Sequence, residues 1–129
     1  MDQDALVADL KKLAEELNEK QGPLALFMLE APDFETGDRW NIVVSARGLD
    51  DKSRADAIRH VTESIREIVS EGEWHRIARA TVLRTNDPFV RAMNSTFRAE
   101  HEVINLQPFS ISGVDIPRAV LLESKPVAA

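Results

Sequence analysis

The chain has 129 residues, of which 43% are hydrophobic and 29% charged, with no cysteine and a net charge of −6. This composition excludes wholesale disorder, and the missing cysteines exclude a disulfide framework, a thiolate metal site and a cysteine nucleophile. The longest apolar run, Leu24 to Leu29, is six residues, about a third of a membrane span, and the opening Met-Asp-Gln-Asp has neither the basic nor the apolar region of a signal peptide, so a soluble cytoplasmic protein is expected.

In chain order, Leu6, Leu10, Leu13 and Leu17 recur at helical spacing and predict an amphipathic first helix. Asp2 or Asp4 is its candidate cap, and Gly22-Pro23 ends it, Gly tolerating the left-handed closing conformation and Pro being unable to continue the ladder. Leu24–Glu30, apolar on both faces, reads as a strand buried in mid-sheet. After a turn-rich segment, 31–39, Trp40–Ala46 reads as a second strand. Ser53, with Asp56 three residues on, approximates a capping box for a second helix carrying Ile58, Val61, Ile65 and Ile68, which Gly72 is placed to end. Trp74–Thr85 reads as a third strand, with Arg79 on the face opposite Arg76 and Arg84. Asp87-Pro88 is a helix start, Asp as cap and Pro in the first turn, and Phe89, Met93 and Phe97 form the stripe of that short helix. Val103–Ser112 and Val114–Glu123 read as two strands folded about Gly113.

The order α-β-β-α-β-α-β-β, with two hairpins, predicts an α+β two-layer sandwich: a mainly antiparallel five-stranded sheet with helices on one face. Residues 1–124 are read as a single domain and 125–129 as a flexible tail.

Few motifs carry chemistry. No G-x-S-x-G, G-x-x-x-x-G-K-[ST] or G-x-G-x-x-G pattern is present, and the five glycines, at 22, 37, 48, 72 and 113, are too far apart to build a phosphate cradle. His60, Glu63 and Glu67 lie along one helical face where imidazole and carboxylate could ligate a hard divalent ion, but the pairing of those carboxylates with Arg59 and Arg66 favours a solvated face. Glu100-His101-Glu102 points in successive directions and cannot converge on a strand or helix. The loop from Asp33 to Asp38 resembles calcium loops in composition without their ligand spacing. No metal, no cofactor and no catalytic residue is therefore assigned.

Charge is uneven. Residues 1–50 hold eleven acids and five bases, whereas residues 75–129 hold five acids and seven bases. The end of the third strand, where Arg84 and Asn86 precede a helix start, is the best polar site, with His75 as a further candidate ligand-binding group, although Asp87 has an adequate structural role as cap. Trp40 and Trp74, each at a strand start among polar residues, are candidate interface residues, and each reads also as a ring closing the rim of the core. A nucleic-acid platform lacks interleaved aromatics, and the negative charge opposes one. The leading reading is a non-catalytic protein-interaction module, a homo-oligomer formed through an open sheet face or edge. A small-ligand binder or small enzyme with a pocket between sheet and helices is the alternative.

Overall fold

The computed structural model describes residues 2–31, 39–100 and 102–127, with side chains from residue 5 onward. The first helix, α1, spans Asp2–Gln21, and the side chains of Leu6, Leu10, Leu13 and Leu17 are each 0% exposed. Complete burial of a leucine is worth about 1.5–3 kcal/mol, so this stripe fastens α1 to the sheet. Gly22 follows the helix, but for a reason other than a left-handed cap. Its φ is not positive; instead a Cβ there would lie 2.1 Å from the Asn18 carbonyl oxygen. The backbone approaches itself so closely that no side chain fits, while the Gly22 N–H donates to that same oxygen at 3.1 Å.

Strands β1, Leu24–Glu30, and β2, Trp40–Ala46, match the expected bounds and pair antiparallel. A 3-10 turn, Arg47–Leu49, leads to helix α2, Arg54–Ile68. Ser53 caps α2, its hydroxyl accepting from the Asp56 N–H at 3.2 Å. The other half of the capping box is replaced: the Asp56 carboxylate takes Arg59 at 2.8 Å. The helix stops at Val69, whose backbone turns extended, three residues before Gly72. Gly72 instead lies within a second 3-10 turn, Glu71–Arg76.

That turn shortens the next strand. Strand β3 is Ile77–Val82 rather than the twelve residues from Trp74, because the Trp74 indole N–H reaches back to the Val69 carbonyl at the end of α2 at 2.9 Å and Arg76 pairs with Glu73 within the turn at 2.7 Å. Helix α3, Pro88–Thr96, begins as expected, with the Asp87 carboxylate accepting from the Phe89 N–H at 2.8 Å and Pro88 in the first turn. Beyond it come β4, Ile104–Leu106, β5, Phe109–Ile111, β6, Val114–Ile116, and β7, Ala119–Ser124. The two long strands expected about Gly113 are thus each divided. Pro108 and Pro117 stand at the breaks, where a residue without an N–H cannot extend a ladder. The turn itself is as read: Ser112 at φ 52° and Gly113 at φ 78° are the two positive-φ positions of a tight hairpin.

The main sheet has the order β3-β2-β1-β7-β4, with β5-β6 a separate pair. The β2–β3 neighbours are parallel and the other pairs antiparallel, which makes β2–α2–β3 a crossover unit and the domain class α+β. Helices α1 and α2 cover one face with Leu24, Phe27, Leu29, Ile42 and Val44. The short α3 lies on the other face, where Val90 and Met93 meet Leu26, Met28, Val43 and Leu121, so the expectation of helices on one face holds for the two long ones. Phe97 closes that second cluster edge-on to Phe109, ring centroids 5.1 Å apart. Past β7, the Lys125 N–H donates to the Ala25 carbonyl at 3.1 Å and Val127 packs on the second cluster. No described helix is long and apolar enough to cross a membrane.

Candidate functional site

The parallel pair sets the site. In an open sheet, the crevice beyond the carboxyl ends of parallel strands is where two loops diverge and leave room for a ligand. Here β2 runs into the Arg47–Leu49 turn and Asp50, and β3 runs into Arg84, Thr85 and Asn86. Between these two exits lies a concavity of about 380 Å³ walled by Arg47, Asp50, Arg84, Thr85, Asn86 and Arg91, with Pro126 and Val127 at its rim. A second concavity of about 410 Å³ lies across the same loop, lined by Lys52, Arg54, Val82, Leu83 and Pro88. Arg84 and Asn86 form the wall common to both.

Two fastenings hold that wall. Asp50 accepts the Thr85 N–H on one carboxylate oxygen at 2.9 Å and the Thr85 hydroxyl on the other, joining the exits of β2 and β3. Asn94, on α3 and 7% exposed, donates to the Ala25 carbonyl at 2.9 Å and the Ser124 hydroxyl at 3.1 Å, pinning α3 and with it Arg91. Asp87 is occupied as the cap of α3, so the positive end of that helix is already satisfied.

The expected site residues separate. Arg84 and Asn86 come together as expected of a polar site. His75 does not join them: it is exposed in the 3-10 turn at the opposite end of β3. Arg76 is 4% exposed and paired with Glu73, so Arg76, Arg79 and Arg84 share no surface. Trp40 is a core ring, 2% exposed, and not the half-buried one expected, because the Arg118 guanidinium roofs it at 4.7 Å from the ring centroid. Its indole nitrogen is buried without a hydrogen-bond partner among the described residues. Trp74, in its turn, is 39% exposed.

At the other end of the sheet, Glu30, Asn41 and Arg79 stand in register across β1, β2 and β3. Burial raises the Glu30 carboxyl above its ordinary value, opposed by its hydrogen bond with Asn41 and the charge of Arg79. Among the described residues no three His, Asp or Glu side chains gather as a metal would require; the Glu67 carboxylate instead meets Lys20 of α1 at 3.7 Å. The turn segment 32–38 and His101 lie outside the described residues. Sequence reasoning missed Arg47, Asp50 and Arg91. The signal for them was the parallel β2–α2–β3 crossover, which brings both strand exits to one end. No protein-family model matches this chain, and neither a curated protein nor a solved structure matches it.

Proposed function

We propose that this protein is a non-catalytic interaction module that pairs with a second copy of itself along the free edge of β3. The observation that carries the reading is the direction of the β3 backbone. The Leu83 N–H donates to the Val44 carbonyl at 2.9 Å, and Val44 is in register with Val82, so odd-numbered residues of β3 bond inward to β2. The amides and carbonyls of Ala80 and Val82 therefore point outward, where no described strand pairs with them. An edge of this kind is a template for another strand.

The side chains favour one arrangement. Antiparallel pairing of two β3 strands requires outward-pointing residues to meet, and a two-fold axis at Ala80, a small residue, meets that requirement. Arg79 of one copy then faces Thr81 of the other, and the like-charge opposition of two Arg79 side chains, which would be destabilising, is avoided. The opposite sheet face is a poorer interface because α3, Phe97 and the β5–β6 pair already cover its apolar residues. Among the described residues the exposed large apolar side chains are Trp74 and Val114, and Trp74 adjoins β3.

Sedimentation velocity over a hundredfold dilution tests the reading. The wild type is expected at twice the 14.4 kDa chain mass at micromolar concentration. Ala80→Pro removes an outward N–H and leaves the ladder to β2 intact, so it is expected to be a folded monomer. A wild-type monomer at 100 µM, or an Ala80→Pro dimer as stable as the wild type, refutes it.

A further inference from the structure

We infer that the concavity beyond the β2 and β3 exits is a binding site for a small ligand carrying a doubly charged oxyanion, of which a phosphomonoester is the type. The inference is independent of self-association through β3. Three arginines from three separate elements line one space of about 380 Å³: Arg47 from the turn after β2, Arg84 from the loop after β3 and Arg91 from α3. The side chains of Arg84 and Arg91 make no ion pair or hydrogen bond among the described residues, and both residues are exposed and line the space.

Asp50 takes both Thr85 hydrogen bonds and keeps its charge, so with Asp51 it offsets two of the three arginines and the lining stays net positive by one. Converging arginines held apart by the fold recognise a group with several oxygens on different sides, since each planar fork bonds two oxygens and each added charge strengthens the bond. A single carboxylate presents two oxygens in one plane and engages one fork. A phosphate offers oxygens to two or three. Asn86 adds an amide at the same wall, and Pro126 with Val127 gives the rim an apolar lip for whatever carries the oxyanion. The volume is that of a small metabolite-sized ligand at the lower end of the usual range.

Isothermal titration and backbone amide shifts, in a buffer of low ionic strength, test this with inorganic phosphate as the probe and acetate as the singly charged comparison. Phosphate is expected to saturate, to shift the amides of Thr85 and Asn86, and to bind at least tenfold more tightly than acetate. Arg84→Gln and Arg91→Gln are each expected to weaken phosphate tenfold or more. Both positions are exposed, so the far-ultraviolet circular dichroism should be unchanged. Arg66→Gln, exposed on α2 and outside the lining of this space, serves as the control and is expected to leave the affinity within twofold. A linear, unsaturating response, equal affinity for acetate, or an equal loss in Arg66→Gln overturns the inference, because each means the chain answers to ionic strength and not to a built site.

Discussion

Replacing Asn94 tests how α3 is held against the sheet, and its magnitude follows from the contacts. The amide donates to the Ala25 carbonyl and the Ser124 hydroxyl. In Asn94→Ala both bonds go, at about 1 kcal/mol each. The Ala25 carbonyl keeps the Lys125 N–H and is not orphaned, whereas the hydroxyl of Ser124, a residue 0% exposed, loses this donor at about a further 1 kcal/mol. Alanine returns roughly 0.6 kcal/mol through its better helix propensity. The net expectation is a loss of ~2 kcal/mol, a drop of about 1 M in the urea midpoint at a typical slope for a chain of this size.

Asn94→Asp sharpens the test by setting an acceptor against the Ala25 carbonyl. Its ionised form is disfavoured in the folded state, so its folded pKa is raised above the unfolded value of about 3.9. The deficit should therefore exceed that of Asn94→Ala near neutral pH and shrink as the pH falls toward the unfolded value. Urea titrations at about pH 7 and about pH 4 measure both effects. A loss below about 0.5 kcal/mol for Asn94→Ala, or a deficit in Asn94→Asp that does not change with pH, would refute the assignment of Asn94 as the donor that pins α3.

Glu30→Gln is expected to gain melting temperature relative to the wild type as pH rises. Burial raises the folded pKa of Glu30, so the stability it contributes is present below the unfolded pKa and is lost as pH rises through the folded one; thermal melts from about pH 3.5 to about pH 7 check this, and a difference that falls with pH contradicts it. The two glycines that follow α1 and α2 should diverge. Gly22→Ala meets the Asn18 carbonyl and should cost ~2 kcal/mol or more, whereas Gly72→Ala meets nothing within 4 Å and should be neutral or slightly stabilising, as denaturant midpoints would report.

Much of this fold is legible in single elements, and the reason is local. The stripe Leu6–Leu17, the two-faced apolar run of β1 and the Asp87-Pro88 start each carry their signal within a few residues. The Ser112-Gly113 turn is marked in the same way by Gly113. What escaped depends on partners distant in sequence. Trp74 starts no strand because its indole reaches back to Val69, and alternation alone does not reveal that hydrogen bond. Two prolines divide the last pair of strands, a break that the apolar pattern hides. At the site, Arg84 and Asn86 are visible because they stand next to a helix start. Arg47, Asp50 and Arg91 become their neighbours only once β2 and β3 are known to be parallel, and no feature of either strand states its direction. Glu30 and Arg79 illustrate the same limit: 49 positions apart, they meet through the register of three strands.

The broken hairpin at the end of the chain has one more consequence. Leu106 and Ala119 are paired across β4 and β7, so the ladder is already closed where residues 107–118 leave it and return. Everything between, including β5, β6 and their turn, is an excursion from a completed sheet, attached through Phe109 and Ile111 to the apolar cluster beneath. Lengthening its tip at Ser112-Gly113 would disturb no strand of the main sheet. This makes the tip a natural place to graft a peptide epitope, a spectroscopic tag or a second binding loop, outside the ladder that holds the sheet together.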